Sequence, residues 1–360
     1  MLLRPAISPQ QEPRPKAVRR AHKHQGVITM KSNGWVRLLA GLSLVLAGAA
    51  QAGSYSSLYV FGDSLSDSGN NALAIGADPA QVVDGNQYIA SRPFASGTYS
   101  NGAVWSQQFA TRLGLSATPS LAGGSNYAFG GAKIDGAWQP GEPPSMTAQL
   151  GMFLADVNGQ AKANGLYVVA GGGPNISAAL MDVMAGADPV VTTQALATQY
   201  AITMGTIVDG LQAAGAKHII VWNAPNFGLT PLAQSYGAAG TGLATAISAA
   251  MNAALQSRLS FEDAGVRSFD VYGLLNDVVA SPSSYGFENV GAACGAAVLG
   301  CNPASALFYD GIHPTTLAHQ VLSDSMYALA LPEPATTALW MLGLAGIATG
   351  INRRKKTPTP

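Results

Sequence analysis

Two short stretches, far apart in the chain, hold residue types that could perform nucleophilic chemistry. They are Phe61-Gly62-Asp63-Ser64-Leu65-Ser66-Asp67-Ser68-Gly69-Asn70 and Asp310-Gly311-Ile312-His313-Pro314. A serine hydroxyl is a poor nucleophile until a neighbouring base takes its proton, and that base needs a third group to hold its tautomer. Ser64 offers the hydroxyl and His313 the base. Asp310, at i−3 from His313, can fold its carboxylate back onto the imidazole within one turn, and Pro314 stiffens the loop. Such a set would attack a carbonyl carbon and pass through a covalent acyl intermediate. Each piece has a plainer use: Gly-Asp-Ser suits a turn, and Asp310, Thr315 or Thr316 could cap a final helix through Leu317, Val321, Leu322 and Met326.

The elements that must position these groups are legible around them. Leu58, Tyr59, Val60 and Phe61 form an apolar run of β-formers that Gly62 stops. A buried strand ending there sets Ser64 at the carboxyl edge of a sheet, where open α/β sheets hold ligands. A helix following at once would aim its first amides at a developing oxyanion. Further strands are expected near 126–128, 166–170, 219–222 and 268–272, with the first at 57–61. Helical stretches lie between them, the clearest carrying Leu243, Ile247, Met251, Leu255 and Leu259 at i+4 intervals. This alternation predicts an α/β protein: a flavodoxin-like three-layer α/β/α sandwich around a central, mainly parallel five-stranded sheet.

The ordered motifs resemble the SGNH or GDSL hydrolases, in particular the larger bacterial lipase, esterase and thioesterase branch. Four blocks carry the resemblance: 61–70, Ser100-Asn101-Gly102-Ala103-Val104-Trp105, Asn126-Tyr127-Ala128-Phe129-Gly130-Gly131-Ala132, and 308–315. Ile219-Ile220-Val221-Trp222-Asn223-Ala224-Pro225 and Ser281-Pro282-Ser283-Ser284-Tyr285-Gly286-Phe287 add to them. The resemblance implies that Ser64 is the nucleophile, His313 the general base and Asp310 its orienting carboxylate. It also implies an oxyanion hole built from the Ser64 amide, a glycine amide and an asparagine side chain. Gly131 fits the glycine, with Gly130 as the fallback; paired glycines also mark plain tight turns. The asparagine block departs from the family's Gly-x-Asn-Asp. Here it reads Gly171-Gly172-Gly173-Pro174-Asn175-Ile176, so an ungapped match sets Pro174 in the asparagine's place. One extra loop residue restores Asn175, which we prefer because the position needs a carboxamide donor and proline has none.

Other chemistries lack their residues. Gly-x-Ser-x-Gly, His-Glu-x-x-His, paired Cys-x-x-Cys motifs and a phosphate loop are all absent, so no metal or nucleotide cofactor is implied. His218 and His319 are expected to be structural or surface residues. The formal net charge is +0, but this average hides an acidic body: residues 53–332 carry 7 basic and 17 acidic side chains, while the ends are basic. That argues against nucleic acid as a partner.

The ends read as targeting segments. Lys31 and Arg37 precede an apolar stretch over 38–50, and Ala50-Gln51-Ala52 is an A-x-A signature. Residues 1–52 are therefore expected to be an N-terminal extension and signal peptide, with Met30 as the true start and cleavage after Ala52. Residues 53–331 form the hydrolase domain. Residues 332–360 resemble a PEP-CTERM sorting signal: Pro332-Glu333-Pro334, an apolar run over 335–351, and Arg353-Arg354-Lys355-Lys356. The run is just long enough to span a membrane with its basic end cytoplasmic, and the resemblance implies export machinery and a processing exosortase as partners. In an oxidising compartment Cys294 and Cys301 are expected to form a small-loop disulfide, two buried free thiols being the alternative.

These observations predict a secreted or surface-held carboxylic ester hydrolase. The alternative is a catalytically impaired protein of the same fold that binds the cell surface or an exopolysaccharide matrix. Lipid and acylated-carbohydrate esters remain equally open as substrates, because the loops near 78–94, 138–146 and 228–240 set the pocket.

Overall fold

The computed structural model describes residues 55–136 and 141–331. The expected leader and the apolar C-terminal run with its basic tail lie outside the described residues. The elements in chain order are β1 (Ser57–Gly62), α1 (Asn70–Ile75), α2 (Trp105–Arg112), α3 (Met146–Asp156), β2 (Gly165–Ala170), α4 (Gly173–Met184) and α5 (Pro189–Ala213). They continue with β3 (His218–Trp222), α6 (Pro231–Ser235), α7 (Gly237–Leu259), β4 (Val266–Phe269), α8 (Val271–Ala280), β5 (Asn289–Ala293), β6 (Ala306–Phe308) and α9 (Thr316–Ala330).

β1 to β4 pair in chain order, all parallel. A parallel strand buried on both faces must be apolar along its whole length. β2 meets that demand without exception, every one of its residues being buried. Side chains alternate across the sheet. Leu58, Val60, Leu166, Val168 and Ile220 face α2 and α9 through Trp105, Phe109 and Met326. Tyr59, Phe61, Tyr167, Val169 and Val221 face α3, α4, α5 and α7 on the other side. The result is the expected three-layer α/β/α sandwich.

Two strand expectations need correction. The segment at 126–128 occupies the fifth position of the sheet, outside β1, but is no regular strand. It makes only isolated parallel bridges, Asn126 with Pro119 and with Val60, the latter through hydrogen bonds from Val60 N to Ser125 O (3.2 Å) and Tyr127 N to Val60 O (2.7 Å). On its other edge Asn126 pairs with the 118–120 backbone, Asn126 N to Thr118 O (3.0 Å) and Ser120 N to Asn126 O (2.7 Å). Side chains take other bonds: Asn70 Nδ2 donates to the carbonyls of Asn126 (2.8 Å) and Ala128 (2.9 Å), and Asn126 Oδ1 accepts from Ala128 N (2.9 Å). The fourth strand ends at Phe269, because the Asp270 side chain caps α8 by accepting from Gly273 N (2.8 Å). Val271 and Tyr272 therefore open a helix.

The predicted apolar stripe lies on α7, whose Ile247, Met251 and Leu255 enter the core. Among the described residues α7 is also the one helix long and apolar enough to cross a membrane, yet its stripe packs on the sheet. The last helix is capped by Thr315, whose side chain accepts from Ala318 N, leaving Asp310 free for another use. β5 and β6 form a small parallel pair, and a Cys294–Cys301 disulfide closes the loop between them.

The carboxyl end of β1 is held by one polar residue on an apolar helix face. Gln149 of α3 is fully buried beside Met146, Leu150 and Phe153. Its Oε1 accepts from Gly62 N and its Nε2 donates to Gly62 O, both at 2.8 Å. Gly62 has no room for a side chain: a Cβ there would lie 2.2 Å from Ala170 O. Replacing Gln149 with Ala leaves a buried amide without its partner, so the variant is expected to lose about 1–3 kcal/mol of stability by urea unfolding. A loss within a few tenths of wild type would contradict this role.

Candidate active site

Beyond Gly62 the chain turns rather than entering a helix. Asp63 O accepts from Ser66 N (3.0 Å) and Asp67 N (3.1 Å), and α1 starts only at Asn70. No helix follows the serine directly, and the first amides of α1 are already used: Asp67 Oδ1 accepts from Gly69 N (2.8 Å) and Asn70 N (2.6 Å). Nor is the turn a strained elbow. Among the described residues the one non-glycine with positive φ is Asn158.

Two buried carboxylates fix this turn to its neighbours. Asp63 accepts from Leu65 N (3.1 Å) through Oδ1 and from Gly173 N (3.2 Å) through Oδ2, tying the Ser64 turn to the start of α4. Burial pushes its pKa up to about 6, against the pull of those amides and of the His313 charge. Asp67 Oδ2 accepts from Gly130 N (2.9 Å), and Asn71 Nδ2 donates to Gly130 O (2.9 Å), so the Gly130-Gly131 loop is clasped to the same turn. Desolvation raises the Asp67 pKa as well.

The second motif arrives from the far end of the chain. Asp310 Oδ1 accepts from Ile312 N (2.9 Å) and His313 N (2.7 Å), closing the turn that the i, i+3 spacing suggested. Asp310 Oδ2 receives the Ala90 amide (3.1 Å) and lies 2.7 Å from His313 Nδ1. His313 Nε2 in turn lies 2.8 Å from Ser64 Oγ. A carboxylate at Nδ1 assigns the proton there and leaves Nε2 as the acceptor for the serine hydroxyl. Asp310, His313 and Ser64 are 0%, 2% and 7% exposed, so the chain of hydrogen bonds runs in a largely desolvated site. The Ser100-Trp105 block braces it: Ser100 Oγ donates to Pro314 O (2.9 Å), and Asn101 Oδ1 accepts from Thr316 N (2.7 Å). From the other side, Cys294 N and Gly295 N donate to Phe308 O (3.1 Å) and Tyr309 O (2.7 Å), so the disulfide-closed loop abuts the approach to Asp310.

The oxyanion candidates divide. The amides of Ser64 and Gly131 donate to no protein group among the described residues, and both residues line one cavity. The fallback Gly130 amide is spent on Asp67. Asn175 uses its carboxamide oxygen elsewhere: Oδ1 accepts from Ile134 N (3.0 Å). Through that bond Asn175 ties the 131–136 loop to α4. Pro174 lines both cavities that Ser64 lines. Gln149, Asp67, Asn71 and Tyr99 escaped the motif reading. The Tyr99 ring lies 5.2 Å from the His313 ring, its hydroxyl accepts from Asn71 Nδ2 (2.6 Å), and burial pushes its pKa up to about 12.

The sequence profile of the family described as GDSL-like Lipase/Acylhydrolase matches residues 58–326, and the chain belongs to that family. Among curated proteins it is 30% identical, over 84% of its length and 54% of the relative's, to the "Uncharacterized protein in trpE-trpG intergenic region" of Pseudomonas putida. It is 28% identical to "Lipase 1" of Photorhabdus luminescens, over 79% of this chain and 51% of that one. With "Esterase EstA" of Pseudomonas aeruginosa it shares 29% identity over 81% of this chain and 49% of that one. The chain thus spans about half the length of these relatives.

Of the other two histidines, His218 opens β3 beside the Tyr55 ring. His319 is buried on α9, and neither ring nitrogen has a hydrogen-bond partner among the described residues. Desolvation, with a smaller contribution from His313, lowers its pKa from 6.5 to about 3. Unfolded chains then bind more protons through that window, and stability falls as the pH drops through it, by up to about 1.4 kcal/mol per pH unit. His319→Leu is expected to flatten the decline in unfolding free energy between about pH 6 and 4. An unchanged slope would show that this imidazole does not set acid sensitivity.

Proposed function

We propose that this chain is an exported serine ester hydrolase acting through Ser64, His313 and Asp310. The observation that carries the reading is the pair of short contacts, Ser64 Oγ to His313 Nε2 at 2.8 Å and His313 Nδ1 to Asp310 Oδ2 at 2.7 Å, at the floor of a cavity. Ser64 Oγ attacks the ester carbonyl while His313 Nε2 accepts its proton. Asp310 keeps the other proton on Nδ1 and stabilises the imidazolium that forms. The Ser64 and Gly131 amides receive the developing oxyanion. His313 then protonates the departing alcohol, activates a water, and the acid leaves Ser64. Family membership and relatives named as an esterase and a lipase support the same chemistry.

In this proposal residues 1–52 direct export, 53–331 form the hydrolase domain, and 332–360 hold the protein at the membrane until an exosortase processes it. The enzyme then works at the cell surface, in the exopolysaccharide layer or in the medium. The Cys294–Cys301 disulfide suits that oxidising route.

One observation favours a second reading, a matrix-binding protein with weakened catalysis. Pro174, which an ungapped match sets in the place of the family's asparagine donor, lines both cavities that Ser64 lines, and loss of one such donor typically lowers turnover by about 10²- to 10³-fold. Hydrolysis of p-nitrophenyl butyrate separates the two. Ser64→Ala is expected to fall to background, and Asp310→Asn to lose on the order of 10³- to 10⁴-fold in kcat. Equal rates in wild type and Ser64→Ala would remove the triad assignment and leave the binding reading.

A further inference from the structure

Two cavities of very different width meet at Ser64, Pro174, Ile312 and His313. The first is a slot of about 80 Å³ between α8, β6 and α9. Leu65, Leu274, Leu275, Val278, Phe308 and Val321 contribute to walls that are almost wholly apolar. The second is a groove of about 1110 Å³ that opens past Gly131. Ile75, Ile89, Leu121 and Met181 line it and stay 45%, 36%, 49% and 47% exposed. Of its polar side chains, the Asn71 amide is committed to Tyr99 Oη and Gly130 O.

The order of events decides which side of the ester enters which cavity. The alcohol must leave while the acyl group is still bound to Ser64. Water must then reach the same carbonyl from the side the alcohol vacated, because His313 serves both. The wide groove allows that exchange, whereas the slot has no room for it beside a bound chain. A cavity of about 150 Å³ lined by apolar side chains takes up benzene, so a slot half that size suits about three or four carbon atoms. Among the described residues the groove's walls are mostly apolar and partly exposed, which matches a hydrophobic group better than a ring of sugar hydroxyls.

We propose that the slot is the acyl site and the groove the alcohol site, so that the substrates are esters of short acyl groups, up to about four carbons, with bulky and largely apolar alcohols. This rests on the ester hydrolase reading. It makes Leu275, on the slot wall, a determinant of acyl length, and Met181, on the groove wall, a determinant of the alcohol.

The test uses the purified full chain with p-nitrophenyl acetate, butyrate, octanoate and palmitate, and with acetate esters of ethanol and of 1-naphthylmethanol. The expected kcat/KM for butyrate exceeds that for octanoate at least tenfold, and naphthylmethyl acetate exceeds ethyl acetate. Leu275→Ala is expected to narrow the butyrate-to-octanoate ratio several-fold, and the half-exposed Met181→Ala to change only the alcohol preference. Octanoate or palmitate cleaved as fast as butyrate by wild type, or an acyl profile indifferent to Leu275→Ala, would overturn the assignment while leaving the hydrolase intact. Absence of Ser64-dependent hydrolysis of every ester would defeat the hydrolase reading and this assignment with it.

Discussion

The hydrogen bond between Ser64 Oγ and His313 Nε2 joins residues 249 positions apart, and the rest of the fold holds its two ends in register. Neither partner is fixed by local sequence alone. Ser64 depends on β1 ending at a particular height in the sheet, which the Gln149 clasp on Gly62 sets. His313 depends on β6 and α9, which bracket its loop, and on Ser100 and Asn101, which hold the loop's exit. A displacement of 1 Å at either end would break alignment in a reaction that rewards it steeply.

That alignment is maintained in a site from which water is largely excluded, and exclusion has an electrostatic cost. Asp63, Asp67 and Asp310 are each 1% exposed or less. A carboxylate in such surroundings is tolerated only when hydrogen bonds replace its hydration. Here the replacements are backbone amides from distant segments: Gly173 for Asp63, Gly130 for Asp67, Ala90 for Asp310. The same bonds that satisfy the charges therefore stitch the Ser64 turn, the Gly131 loop, α4 and the loop near residue 90 into one frame. His319 is treated differently: its ring nitrogens have no hydrogen-bond partner among the described residues, and burial holds its pKa low.

Much of this was legible in the sequence, for identifiable reasons. Strands buried on both faces appear as unbroken apolar runs, so β1, β2 and β3 could be read directly. The segment at 126–128 was less legible because Asn70, a side chain, takes bonds that a ladder would otherwise make. The end of β4 was hidden by Asp270, whose capping role competes with strand continuation. Ser64, Asp310 and His313 stood out because activating a hydroxyl admits few residue types. Asn175 was harder to read, since one extra loop residue decides whether it or Pro174 matches the family's asparagine, and its bond to the Ile134 amide has no mark in the sequence. Gln149 left a faint signal, a lone amide on an apolar helical stripe. Asp67 and Asn71 left none beyond a polar turn.

The proposed hydrolysis requires Ser64 to be a nucleophile activated by His313, and covalent trapping tests that directly. A fluorophosphonate probe should add to the purified protein at one site, and peptide mass spectrometry should locate the adduct on Ser64. His313→Ala should slow labelling severely while the protein remains folded. An adduct on another residue, or labelling of Ser64 that is indifferent to His313, would contradict the account.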